Sequence, residues 1–260
     1  CRCKAYSWKR GRAMSLIESA RQYVHDRIAP EFHDKRIVKL RQLKLAQILK
    51  RKNPYLFRAK AIVAAPDLVK HLLLAYLSSQ EETIFGDFLE GLAIHVCSNA
   101  YGGQKSTTEG VDLEFVRDGV RYIVDIKSGP NWGNASQINK MLQNFDRARR
   151  IAGRSSRLVA VNGCCYGQDA RPEKTRGNYV KLCGQDFWSL ISGEPDIYQE
   201  IIEPLGHEAR LRNDEFEAEF GRLQTLFTGE FTKHYCLADG SIDWDTILAL
   251  NSGAKKLWLT

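Results

Sequence analysis

Hydrophobic and polar positions change rhythm several times along this chain. From residue 15 to 78 apolar side chains recur at helical spacing. Leu16, Ala20, Tyr23 and Val24 form one stripe that ends near Ala29-Pro30. Between Phe32 and Lys50 the apolar set is Ile37, Leu40, Leu43, Leu45, Ile48 and Leu49. Asn53-Pro54 then restarts a helix in the favoured N-cap and first-position arrangement. Asp67–Ser78 adds another apolar face, and Glu81–Val96 reads as a largely buried helix striped by Phe85, Leu89, Leu92 and Val96. The rhythm then shortens. Gly110 to Ser128 reads as two strands joined at Arg117-Asp118-Gly119, an Asp-Gly pair being a favoured hairpin signal. Helical spacing returns over Ala135–Ala152 through Ile138, Met141, Leu142, Phe145 and Ile151, with Asn134 or Ser136 as cap. Arg157–Tyr166 is a continuous apolar run, as in a central or parallel strand, and Tyr179–Leu182 is a further strand. Helices over Asp186–Ile191, Asp196–Leu205, Glu208–Phe227 and Asp243–Leu250 close the chain. The order predicts an α/β core with a mixed central sheet and helical additions at both ends.

Composition narrows this picture. The chain has 260 residues, 43% of them hydrophobic, enough for one large domain or a core with an appended helical region. No apolar run approaches the roughly 20 residues a bilayer span requires, so no membrane is expected. Seven cysteines without a CxxC pair, and no visible secretory signal, favour a reduced, cytoplasmic protein. Residues 1–13 hold five Lys or Arg and no acid, and they read as a leader, disordered or added by cloning, with a disordered basic arm that touches DNA as the alternative. Residues 14–80 form a basic helical region, and 81–260 the core with its C-terminal helices. Charge is uneven: residues 1–60 carry 17 Lys or Arg against 4 Asp or Glu. That excess suits a surface that neutralises phosphates, and it equally suits a solvated helical face.

The hairpin carries the chemistry. Side chains two apart on a strand share a face, so Asp125 and Lys127 point one way and Val124 and Ile126 the other. Folding at the Asp-Gly turn returns Asp112 beside Asp125. Two carboxylates at one point repel unless a cation lies between them. A hard divalent ion such as Mg2+ answers that need with oxygen ligands and several retained waters. A lysine beside it can hold a water or balance a phosphate, so the set suits metal-assisted phosphodiester hydrolysis.

Asp112, followed after a hairpin by Asp125-Ile126-Lys127, resembles the PD-(D/E)XK nuclease core. The longer string Val124-Asp-Ile-Lys-Ser-Gly-Pro-Asn-Trp-Gly-Asn134, followed by a helix, is similar to the PmeII-type type II restriction endonucleases. The resemblance runs from about Met14 to near the C-terminus and is densest over Phe85–Asn144. Val111 replaces the proline usual before the first Asp, and Asp125 stands where Glu is more common. The resemblance implies a restriction-endonuclease-like sheet and site-specific cleavage of double-stranded DNA to 5′-phosphate ends. It also implies a homodimer on a two-fold site and a companion DNA methyltransferase. Within it, Asp112, Asp125 and the Ile126 carbonyl would hold Mg2+, and Lys127 would orient or activate water. In this superfamily a helix before the first strand often supplies an acid near the metal, a role Glu90 fits better than Asp87. A Glu90 paired with a basic neighbour is the competing reading.

Candidate DNA contacts lie in two loops. Ser128–Asn134 leaves the catalytic strand directly and opens a helix, which makes Asn131 and Gln137 plausible contacts. The loop Gly167–Asn178 offers Arg171, Lys174 and Arg176, and arginine on guanine is the commonest specific base contact. Trp132 reads as a packing residue and His95 as a core or hydrogen-bonded one rather than a ligand. Three other readings stay open. One is a repair or recombination nuclease without a strict site. Another is a DNA-binding protein that has lost catalysis. The third is a structural protein in which Asp125 and Lys127 are a plain salt bridge.

Overall fold

The computed structural model describes residues 14–153, 157–171, 174–206 and 209–253, so the expected leader lies outside the described residues. In chain order the elements begin with α1 (Leu16–Ile28), a π-helical turn (Ala29–His33), α2 (Asp34–Arg41), α3 (Leu45–Arg51), α4 (Pro54–Ala59) and α5 (Ala65–Tyr101). Three strands follow: β1 (Gln104–Lys105), β2 (Leu113–Arg117) and β3 (Val120–Lys127). Helix α6 (Ala135–Ala152) leads to β4 (Leu158–Cys164) and β5 (Val180–Cys183). The chain closes with α7 (Gln185–Ser192), α8 (Ile197–Glu200), α9 (Ile202–Leu205), α10 (Ala209–Tyr235) and α11 (Trp244–Ser252). No described helix is long and apolar enough to cross a membrane.

Contacts divide the chain into two units. One comprises residues up to His25 with Leu89–Pro204, the other Asp26–Phe88 with Leu205 onward. The expected boundary at residue 80 differs from this division, because the C-terminal helices share their core with the N-terminal helices rather than with the sheet.

The sheet unit is built on five strands in the order β1-β2-β3-β4-β5. β1, β2 and β3 pair antiparallel, whereas β3, β4 and β5 pair parallel, so the mixed sheet expected from the strand pattern is present. β4 is interior to the sheet and parallel to both neighbours, which explains a run that is apolar but for Asn162. Helix α6 follows β3 and lays Met141, Phe145 and Ala148 against Val111, Ile123 and Ala160 of the sheet side. Ile151, expected on that apolar face, is instead 68% exposed, because the helix has turned it outward by its last turn. Gly163 of β4 lets α7 approach: a Cβ there would meet the Phe187 ring at 2.3 Å.

In the helical unit the apolar set Ile37, Leu40, Leu43, Leu45, Ile48 and Leu49 is buried with Phe216, Phe220, Leu223, Phe227 and Phe231 of α10. Four element limits depart from the sequence pattern. The expected stop at Ala29-Pro30 is a π-helical turn with Pro30 near its start, and α2 continues directly from it. The wider turn accommodates a residue that lacks an N–H donor, so the helical path continues through the proline. The segments Asp67–Ser78 and Glu81–Val96 are parts of one 37-residue helix, α5, since no breaker separates them. Asp196–Leu205 is two short helical turns rather than one helix, and α10 runs on to Tyr235. Asn53 caps α4 as expected, its side chain accepting from the Leu56 N–H at 3.3 Å.

Candidate active site

The turn between β2 and β3 sets the register on which the site depends. Asp118 and Gly119 both have positive φ, 52° and 71°, as a two-residue turn of the favoured hand requires. The register pairs Leu113 with Val124. Asp112 therefore falls opposite Asp125, one step past the last ladder pair. Its N–H donates to the Val124 carbonyl at 2.8 Å, and its Oδ2 accepts the Ile126 N–H at 2.7 Å. In an extended strand a residue's N–H and C=O share one edge, so the Ile126 carbonyl lies on the same open side as Asp112.

On β3, Lys127 Nζ donates to Asp125 Oδ1 at 2.8 Å. The parallel register of β4 sets Asn162 opposite Asp125. The Asn162 side-chain amide donates to Asp125 Oδ2 at 3.3 Å, and its own Oδ1 accepts from Trp132 Nε1 at 3.1 Å. The Trp132 ring in turn lies 5.0 Å from Lys127 Nζ. Trp132 is thus the packing residue its sequence setting suggested, and it borders the hydrophobic cluster under α6.

Burial holds both carboxyls of this corner above the ordinary carboxylate range. Burial pushes the Asp125 carboxyl up to about 6, although Lys127 pulls the other way; Asp112 adds to the rise. Asp112 is also raised, first by burial and further by Glu90, against the Ile126 N–H, Lys127 and Lys105. Glu90 lies close enough to act on Asp112, yet its own carboxylate is held by Lys105 at 3.1 Å. Among the described residues no three His, Cys, Asp or Glu side chains gather as a metal cluster. A cation here would rest on the two aspartates, the Ile126 carbonyl and water. That all-oxygen set fits Mg2+, which keeps several waters and uses few carboxylates.

The loop after Lys127 is clamped to the exit of β4. Tyr166 N–H donates to the Ser128 carbonyl at 2.9 Å, and Lys181 Nζ to the Pro130 carbonyl at 2.9 Å. A Cβ on Gly129 would meet the Tyr166 ring at 2.6 Å, so the ring as placed rests directly on this glycine. Asn134 then caps α6 in a reciprocal box: its Oδ1 accepts the Gln137 N–H and Gln137 Oε1 accepts the Asn134 N–H, each at 3.0 Å. Of the two caps the sequence allowed, Asn134 is the one used. Asn131 is exposed in this loop, and Gln137 is exposed with its carbonyl taken by the box.

The second loop is more engaged than its sequence suggests. Arg176 pairs with Asp169 at 2.5 Å, and Lys174 with Asp186 at 2.7 Å. Arg171 is exposed, and its backbone N–H donates to Asp169 Oδ1 at 3.3 Å. Residues 172 and 173 lie outside the described residues. On the helix α5, His95 is hydrogen-bonded, as expected, to Ser19 Oγ at 3.0 Å and Asn99 Nδ2 at 3.1 Å.

Sequence reasoning missed two residues at the site. Asn162 is the polar member of an apolar strand, a signal that was present but pointed to no partner. Asn144 packs so closely on Gly110 that a Cβ there would lie 1.9 Å from Asn144 Nδ2. This and a φ of 74° explain the glycine just before the first aspartate.

Two comparisons bear on this arrangement. A family model described as type II restriction endonuclease EcoO109I matches residues 18–213, well over half of the chain. The match spans all five strands and therefore Asp112, Asp125 and Lys127. A search of curated proteins finds no match.

Proposed function

The chain belongs to the EcoO109I family of type II restriction endonucleases, and on that footing we propose that it hydrolyses double-stranded DNA with Asp112, Asp125 and Lys127 as its catalytic set. The observation that carries this reading is the hairpin register, which faces Asp112 with Asp125 and ties Lys127 to Asp125 at 2.8 Å. Asp112, Asp125 and the Ile126 carbonyl would hold Mg2+, with Glu90 in reach through water; the ion supplies Lewis acidity and a more acidic water when bound. Lys127 orients the attacking water with its ammonium, from a position fixed by Asp125 and the Trp132 ring. Attack on phosphorus breaks the bond to the 3′ oxygen, which takes up a proton and leaves a 5′-phosphate end. The exposed start of α6, with Asn131 and Gln137, lies directly beyond the catalytic strand and suits the phosphate backbone. Of the second loop, Arg171 reads bases, while Lys174 and Arg176 exchange their carboxylate partners for DNA.

The finer kinship, to PmeII-type enzymes, rests on the run Val124–Asn134. A symmetric site asks for a homodimer, and a cytoplasmic restriction enzyme asks for a DNA methyltransferase that protects the host's own copies.

Incubation of a sequenced plasmid with the protein and Mg2+ tests the reading. Discrete fragments with 5′-phosphate ends are expected, with none from Asp112→Ala, Asp125→Ala or Lys127→Ala. A smear would instead indicate a nuclease without a strict site. Undiminished cutting by Lys127→Ala would remove the lysine from the mechanism.

A further inference from the structure

We propose that Asn162 is the positioning residue of this site: its amide fixes the Asp125 carboxylate on one side and, through Trp132, the ring against which the Lys127 ammonium lies. The inference rests on the proposed catalytic role of Asp125 and Lys127.

Four contacts close a ring. Lys127 Nζ reaches Asp125 at 2.8 Å, and Asp125 Oδ2 accepts from Asn162 at 3.3 Å. Asn162 Oδ1 accepts from Trp132 Nε1 at 3.1 Å, and the Trp132 ring lies 5.0 Å from Lys127 Nζ. Two members of the ring belong to the catalytic set and two do not. An indole N–H can only donate, so it holds the Asn162 carbonyl oxygen toward Trp132. The NH2 end is thereby turned to Asp125, where it also reaches the Asp125 backbone carbonyl at 3.4 Å. The orientation of one amide thus couples the loop after β3 to the carboxylate on β3.

Packing alone does not call for this residue. Asn162 is 1% exposed, within a strand otherwise made of Leu, Val, Ala, Gly and Cys. An amide buried there costs free energy unless both its ends are bonded, and leucine would fill similar space without that demand. Leucine could not offer a donor to Asp125 and an acceptor to Trp132 at once. An aspartate could accept from Trp132, but it would set a second carboxylate against Asp125.

The test compares wild type, Asn162→Leu, Trp132→Phe and the double variant. Each is measured for single-turnover cleavage with Mg2+, for affinity to the same duplex in Ca2+, and for Mn2+ binding by calorimetry without DNA. Asn162→Leu is expected to cleave roughly tenfold or more slowly and to bind Mn2+ roughly tenfold more weakly, as losses of outer contacts to ligands do. Its duplex affinity should stay within about twofold, since the amide acts on the reacting groups and not on DNA. Trp132→Phe keeps a ring beside Lys127 and removes only the N–H, so a smaller loss of the same kind is expected. The double variant should be no slower than Asn162→Leu, because both changes break one connection.

Wild-type cleavage by Asn162→Leu, or losses that multiply in the double variant, would overturn the proposal. If Asn162→Leu does not fold, Trp132→Phe decides: wild-type rate and Mn2+ affinity would overturn it, and a reduction in both would support it. Asp125→Ala separates this proposal from its premise. A dead Asp125→Ala beside an active Asn162→Leu removes only the role of Asn162, whereas an active Asp125→Ala removes the catalytic reading itself.

Discussion

Asp125 is buried to 6% exposure, and its carboxyl is pushed up to about 6 from an ordinary 3.8, chiefly by burial. A raised folded-state value means that the native protein binds the proton more tightly than the unfolded chain does. Below about pH 4 the group is protonated in both states and its full contribution to stability is present; that contribution is lost as pH rises through 6. The gap is worth on the order of 3 kcal/mol. Asp125→Asn should therefore be more stable than wild type at pH 7 in a chelating buffer, with the advantage gone by about pH 4. Thermal melts of both proteins across that range would check it; an equal gap at both ends would show that Asp125 ionises without cost. Added Mg2+ should raise the wild-type melting temperature at pH 7 by more than that of Asp125→Asn, since a neutral amide is a weaker partner for a divalent cation than a carboxylate. At this scale Asp112, Asp125 and Lys127 were legible in the sequence, because strand alternation and one short turn suffice to bring them together. Asn162 was not: it lies 37 residues from Asp125 in the chain, and only the parallel register of β3 and β4 sets them opposite.

Elements followed their local signals where those signals are self-contained. Helix α6 has the limits its pattern predicts, because the Asn134–Gln137 box marks its start and Gly153 its end. Asn134→Ala should cost about 1 kcal/mol in urea unfolding, as the loss of an N-cap typically does. It should also disturb the loop that follows Lys127. Signals that need a neighbour were less readable. Pro30 marks a stop in most helical patterns, yet here the chain passes through a π-helical turn into α2. Gly163 in mid-strand gave no hint of its purpose until α7 was placed on it, with Phe187 where a Cβ would stand. Gly163→Ala should destabilise by about 1–3 kcal/mol through overpacking. A melting temperature equal to that of wild type would mean that the ring can move aside freely.

Across the whole molecule, the chain order of charge and its spatial order differ. The first 60 residues carry 17 Lys or Arg against 4 Asp or Glu. The described residues of the helical unit carry 16 against 15, because the acidic C-terminal helices join it. Arg36 pairs with Glu81 at 3.3 Å and covers the Phe216 ring at 3.6 Å, Arg41 pairs with Glu215, and Arg212 with Asp34. Arg36 and Arg41, two of the basic residues of the first 60, therefore meet acids inside the unit rather than phosphate. The same partnership makes α10 part of the core, so Phe231→Ala, at a fully buried position, should lower stability by about 3–5 kcal/mol. Denaturant unfolding would check this, and a loss under 1 kcal/mol would mean that α10 is dispensable to the core. The sequence alone determined the hairpin, its facing aspartates and the helix beyond it, since period, turn and cap act within a few residues. Tertiary structure decided which helices share a core, which charges cancel and which buried amide faces Asp125. Those outcomes depend on segments far apart in the chain, and only long-range packing and the parallel strand register bring such segments together.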